Sequence, residues 1–135
     1  MKKIEHIGIA VKNLEESNAL YEKLLGVPSY KQEAVESENV VTSFFKIGQS
    51  KIELLQATSE DSAIHKFIEK KGEGFHHIAF SVSDIDFETK RLISEGFKPL
   101  MDKPKKGADN KLVMFFHPKT TGGMLVELCQ EIKAK

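Results

Sequence analysis

Along the first eleven residues the apolar positions alternate. Ile7, Ile9 and Val11 share one parity, and His6, Gly8 and Ala10 share the other. This two-residue period predicts a strand over residues 4–11, with faces that meet different surroundings. The period then lengthens. Leu14, Leu20, Tyr21, Leu24 and Leu25 recur at helical spacing, with Asn13 placed to cap the start and Gly26 to end the run. Residues 40–47 and 51–57 predict two strands around a turn at Gly48-Gln49. Residues 62–71 carry Ile64, Phe67 and Ile68 at the spacing of a short helix, which Gly72 and Gly74 close. A strand over 75–82 follows, then a helix that Ser83 or Asp84 caps, a basic glycine-containing loop over 103–110, and strands over 112–116 and 124–129 joined by the turn from Pro118 to Gly123.

The pattern occurs twice. His-Ile-Gly-Ile-Ala-Val at 6–11 returns as His-Ile-Ala-Phe-Ser-Val at 77–82, each followed by a helical stretch ending in glycine. Phe44-Phe45 returns as Phe115-Phe116, and Ile-Glu-Leu-Leu-Gln at 52–56 returns as Val-Glu-Leu-Cys-Gln at 126–130. Landmarks recurring in one order identify two similar βαβββ modules, about 1–57 and 74–131, with a connector helix between them over 58–73. The class is α+β, with the modules' helices on one side of the sheets.

Parity also sorts the chemistry. Ile52 and Leu54 flank Glu53 on the opposite face, as Val126 and Leu128 flank Glu127, and the two histidines likewise stand away from an aliphatic stripe. A duplicated fold with a pseudo-two-fold axis pairs His6 with His77 and Glu53 with Glu127. Facing sheets would bring the four into one cavity. Buried carboxylates repel, and a divalent cation resolves this by neutralising them and taking the imidazole lone pairs. Two nitrogens and two oxygens suit cobalt, nickel, manganese, zinc or iron, and the lack of thiolate argues against a structural zinc.

Each of these residues also has an ordinary structural role open to it. A lone strand histidine is more often structural, and His76, on the apolar parity, is read so. A lone strand glutamate is usually solvated; the repeat is what raises Glu53 and Glu127 above that. Cys129 is read as packing, His65 as helix surface and His117 as part of a turn.

Composition narrows the partners. The 135 residues suffice for one domain with a real core, and a net charge of zero offers no broad field for nucleic acid or an anionic membrane. The single cysteine permits no internal disulfide. The N-terminus turns polar too soon for a signal peptide and no apolar run reaches spanning length, so a cytoplasmic location is the expectation.

With His near the start and Glu near the end of each module, nearly the whole chain resembles the vicinal oxygen chelate superfamily, which includes glyoxalase I, methylmalonyl-CoA epimerase, extradiol dioxygenases and metal-free antibiotic-binding proteins. Three stretches are most similar to the epimerases: Ser-Ala-Ile-His-Lys-Phe-Ile at 62–68 leading into Gly-Phe-His-His-Ile-Ala-Phe at 74–80, Phe-His-Pro-Lys at 116–119, and Gly-Gly-Met-Leu-Val-Glu-Leu at 122–128. Glyoxalases usually carry Asp-Pro-Asp-Gly before the last strand, where His117-Pro118-Lys119 stands here.

The resemblance implies a single domain over residues 1–135, a cupped eight-stranded mixed sheet around a metal site with helices outside, and His6, Glu53, His77 and Glu127 as ligands. It implies one divalent ion, cobalt first, with nickel, manganese and zinc as alternatives. The implied activity is interconversion of (2R)- and (2S)-methylmalonyl-CoA through a metal-stabilised enolate, with an acyl-CoA thioester as substrate and a homodimer as the assembly. Glu127 matches a carboxylate implicated in proton transfer. Some bacterial epimerases use a second glutamate where Thr42 stands here, which leaves Glu53, or the nearby Glu36 or Glu38, as the second proton carrier. Lys105 and Lys106 are expected to meet CoA phosphates. The rivals are a glyoxalase I acting on the glutathione–methylglyoxal hemithioacetal, and a non-catalytic small-molecule-binding or resistance protein of the same fold. A dioxygenase typically uses two histidines and one carboxylate, so the fourth ligand counts against it.

Overall fold

The computed structural model describes residues 1–132. The chain divides into two compact units. One is His6–His76; the other joins Met1–Glu5 to the chain from His77 onward. No helix among the described residues is long and apolar enough to cross a membrane.

The N-terminal unit contains most of β1 (Lys3–Ala10), α1 (Leu14–Leu25), β2 (Lys31–Val35), β3 (Val40–Ile47), β4 (Ser50–Ala57) and α2 (Ala63–Lys71). Its strands lie in the order β2-β3-β4-β1, with β1 parallel to β4 and the rest antiparallel. The expected caps form. Asn13 accepts from the Glu16 amide at 3.0 Å, and Gly26 ends α1 at φ 76°, a left-handed conformation that a residue with a Cβ adopts only under strain. β3 and β4 are joined by the two-residue turn Gly48-Gln49, as expected.

On one face Ile9, Val11, Leu14, Phe45 and Leu54 form a core, with Tyr21 and Leu25 of α1 packed over it. The other face holds a second cluster: Ala10, Val40 and Leu55 with Ile64, and Phe67 and Ile68 beside them. Thus α1 covers the aliphatic parity, and the connector helix α2 covers part of the face that carries His6 and Glu53. Full burial of a side chain such as Ile64 stabilises by about 2 kcal/mol.

The C-terminal unit contains β5 (Gly74–Ser81) from His77 on, α3 (Ile85–Ser94), β6 (Lys105–Lys106), β7 (Lys111–Phe116) and β8 (Leu125–Glu131). The order is β5-β8-β7-β6, with β5 parallel to β8. Asp84 accepts from the Phe87 amide at 3.1 Å to cap α3. Val82, Ile85, Leu92, Met114, Phe116 and Leu128 form the core under α3. The Lys2 amide donates to the Ser81 carbonyl at 2.8 Å, so the first residues of the chain complete this unit.

Two strands lie where the periodicity gave none. Lys31–Val35 pairs with β3 along its whole length, and Lys105–Lys106 pairs with β7 inside the stretch read as a loop. Both are charged edge segments whose structure comes from the neighbouring strand and not from their own composition.

Candidate functional site

In the N-terminal unit the register aligns Gly8 with Glu53 and His6 with Lys51. His6 and Glu53 are therefore diagonal neighbours on one face. With no side chain at Gly8 between them, they meet: His6 Nδ1 lies 3.0 Å from Glu53 Oε2. The C-terminal unit repeats this. Ala79 aligns with Glu127 and His77 with Leu125, and across the small Ala79 His77 Nε2 lies 3.2 Å from Glu127 Oε1. Each unit thus brings together one histidine and one glutamate, a pairing within the unit, where the repeat predicts pairing of His6 with His77 and of Glu53 with Glu127. All four residues are 5% exposed.

Such pairs are costly to assemble. Burying a carboxylate is tolerated only with compensating hydrogen bonds or charge, and each imidazole supplies part of that. Each carboxylate has a second oxygen, and the donors are borderline nitrogen and hard oxygen, the set that divalent first-row cations accept. Cys129, buried at 1% exposure, directs its thiol to the Phe80 carbonyl at 3.6 Å and packs with Ala79 and Val113, as expected of a structural cysteine.

The surroundings follow from the same parity. Phe44 is level with Glu53 and Phe115 with Glu127, so one phenylalanine of each repeated Phe-Phe pair stands on the carboxylate's face and the other enters the helix-covered core. The Phe115 ring meets His77 edge-on at 6.1 Å, and Lys31 Nζ lies 4.7 Å from the Phe44 ring centre.

The repeated glutamine also has a role that the sequence signalled but did not explain. Gln56 Oε1 accepts from the Leu14 amide at 2.5 Å and Gln130 Oε1 from the Ile85 amide at 2.7 Å. Each glutamine ties the glutamate-bearing strand to the first turn of the unit's helix, where amides lack intrahelical partners. The Val11 amide to the Leu55 carbonyl and the Val82 amide to the Cys129 carbonyl, both 2.9 Å, repeat the same link in the backbone.

The remaining candidates divide. Lys105 and Lys106 are exposed on β6. Glu36 and Glu38 occupy a 3-10 turn beyond the end of β2, off the strand register. Glu33, not singled out by the sequence, lies level with Thr42, which is level with Leu55 and Ala10, on the face carrying His6 and Glu53. The Thr42 hydroxyl is buried and has no hydrogen-bond partner, an arrangement that costs about 1–3 kcal/mol. His76 meets Phe67 edge-on at 5.0 Å, and His65 lies 3.6 Å from Glu69. His117 caps a 3-10 turn by accepting from the Lys119 amide at 3.1 Å. His65 thus lies on a helix and His117 at a turn, as read from the sequence.

Comparison with known proteins places these features in a family. The profile of the Glyoxalase/Bleomycin resistance protein/Dioxygenase superfamily matches residues 5–115. Uncharacterized protein YqjC of Bacillus subtilis (strain 168) is 40% identical over 96% of this chain and 93% of its own length. The mitochondrial methylmalonyl-CoA epimerase of Dictyostelium discoideum is 38% identical over 93% of this chain and 76% of its own length. A solved structure of a Streptomyces coelicolor methylmalonyl-CoA epimerase variant in complex with 2-nitronate-propionyl-CoA is similar at TM-score 0.94 and 34% identity, over 98% of this chain and 99% of that one. Two modules, each with a buried His–Glu pair at the same register, in a chain with these relatives, lead to one assignment: the chain belongs to the glyoxalase/bleomycin resistance protein/dioxygenase superfamily.

Proposed function

We propose that this chain is a metal-dependent isomerase that interconverts (2R)- and (2S)-methylmalonyl-CoA. The observation that carries the reading is the buried His–Glu pair repeated at one sheet position in both units. The epimerase relatives, alike over nearly the whole chain, supply the substrate.

His6, Glu53, His77 and Glu127 would together hold one divalent cation, with cobalt the first expectation. When bound, the cation would supply positive charge where the enolate's negative charge grows. The chain's residues do the rest. Glu127 removes the proton at C2, between thioester and carboxylate, and a second acid returns a proton to the opposite face. Glu53 is the candidate second acid within the ligand set. Phe44 and Phe115 keep water from the carboxylates and strengthen the electrostatics there. Lys105 and Lys106, exposed cations on an edge strand in a chain of zero net charge, would receive the CoA phosphates.

The test is incubation of the metal-loaded protein in D2O with methylmalonyl-CoA and, separately, with the glutathione hemithioacetal of methylglyoxal. The reading expects rapid inversion with deuterium entering at C2 of the first. Formation of S-lactoylglutathione from the second without turnover of the first would overturn it, as would silence on both.

A further inference from the structure

Along the row that carries the glutamates both units set a glutamate beside a phenylalanine, and they diverge in the next row. In the N-terminal unit that row reads Ala10, Leu55, Thr42, Glu33 across β1, β4, β3 and β2. In the C-terminal unit it reads Ser81, Cys129, Val113, Lys105 across β5, β8, β7 and β6. Threonine thus stands where its counterpart is valine, and a carboxylate where its counterpart is an ammonium. Val113 needs no partner and packs with Ala79 and Cys129. Thr42, nearly the same shape, brings a buried hydroxyl with no partner. A protein gains nothing in packing from that exchange and loses a hydrogen bond.

We propose that Glu33 is the second proton carrier of the reaction, and that Thr42 positions it. This rests on the reading of the chain as an epimerase. Strands are about 4.8 Å apart and residues on one face about 6.8 Å apart, so the Glu33 backbone is about 12 Å from that of Glu53, on the same face of the sheet. Thr42 is the small residue of the row that a glutamate turned toward the substrate must cross, and its hydroxyl is a donor awaiting a carboxylate oxygen. Glu33 is half-buried, with Lys31 Nζ at 3.5 Å.

In one direction the C2–H bond breaks, its proton passes to a Glu127 carboxylate oxygen, and the electron pair moves into the thioester carbonyl. The pair then returns to C2 and takes the carboxyl proton of Glu33 on the opposite face, leaving Glu33 as carboxylate. In the other direction the two acids exchange roles.

The test follows separate samples of (2R)- and (2S)-methylmalonyl-CoA in D2O with wild type, E33Q, T42V and T42S. In E33Q, inversion is expected to fall at least about 100-fold, the range of a lost acid–base group, with KM within twofold. Deuterium should still enter, with retention, the isomer whose C2 proton faces Glu127. Inversion by T42V is expected to fall about tenfold, and T42S, which restores the hydroxyl, should recover it. Wild-type inversion rates in E33Q would overturn the assignment while leaving the epimerase reading intact. Parallel loss of exchange from both isomers would overturn it as well, because that marks general damage. A wild type that neither inverts nor exchanges either isomer would overturn the epimerase reading, and the assignment with it.

Discussion

The N-terminal and C-terminal sheets share a histidine-bearing strand, a parallel glutamate-bearing strand, a helix on the aliphatic face and a glutamine holding that helix in place. They differ on the face that carries the His–Glu pair. In the N-terminal unit α2 lays Ile64 against Ala10, Val40 and Leu55. In the C-terminal unit the corresponding patch is Ala79, Val113, Cys129 and Phe115, among the described residues covered by none of that unit's helices. The edge strands differ too, with Lys31–Val35 on one sheet and only Lys105–Lys106 on the other. What stayed alike is the His–Glu pair and the strand–helix joint, the features that the proposed shared cation would require. What diverged lies beyond the carboxylates, where, on the proposed reading, one half would serve proton transfer and the other would hold an anionic substrate.

The largest expected break in the likeness comes from its chemistry. Glu127→Gln should lower kcat for inversion by about 10²–10⁴-fold, the range of a lost acid–base group, as read by coupled or NMR assay of epimerisation. Less than tenfold loss would remove Glu127 from proton transfer. The specialisation of the C-terminal edge is tested by reversing Lys105 and Lys106 to glutamate. KM for the CoA thioester should rise about tenfold at low salt, less at high salt, with kcat little changed. An unchanged KM would end that role.

The strand–helix joint should respond equally in both halves. Gln56→Ala and Gln130→Ala each remove a capping acceptor, at a cost of about 1 kcal/mol, or a fall of about 3–6 °C in Tm by calorimetry. A cost confined to one half would show that the two joints are not equivalent. The smallest effect concerns Glu88. A hydrogen bond from the N-terminal amine at 2.8 Å, then one from Arg91, holds its carboxyl below the ordinary value of 4.5. Because its pKa is lowered in the folded state, its stabilisation is present above the ordinary value and fades as pH falls through the lowered one. Glu88→Gln should therefore cost slightly in Tm at pH 7, and the difference should close on acidification. A difference that widens in acid would contradict the pairing.

Much of this was legible in the sequence because it rests on parity. His6, Glu53, His77 and Glu127 could be placed on one kind of face from their aliphatic neighbours alone, and Asn13, Asp84 and Gly26 cap helices as their side chains or lack of one dictate. Gln56 and Gln130 were visible as repeats, but their role was not, since a glutamine's amide reports nothing until the helix start is beside it. β2 was hidden because Lys31–Val35 has almost no apolar alternation; it is a strand because β3 offers it an edge. Glu33 was hidden with it, and Thr42 revealed nothing until its hydroxyl was seen to be buried without a partner. The face chosen by α2 was equally closed to periodicity, because a short helix with Ile64, Phe67 and Ile68 on one side fits any apolar patch.

The central claim, that both halves serve one cation, is tested most directly by counting it. Wild-type protein, loaded with cobalt and dialysed, should retain one ion per chain by elemental analysis, and His6→Ala and His77→Ala should each lose it. Two ions per chain, or undiminished retention in either variant, would contradict the account.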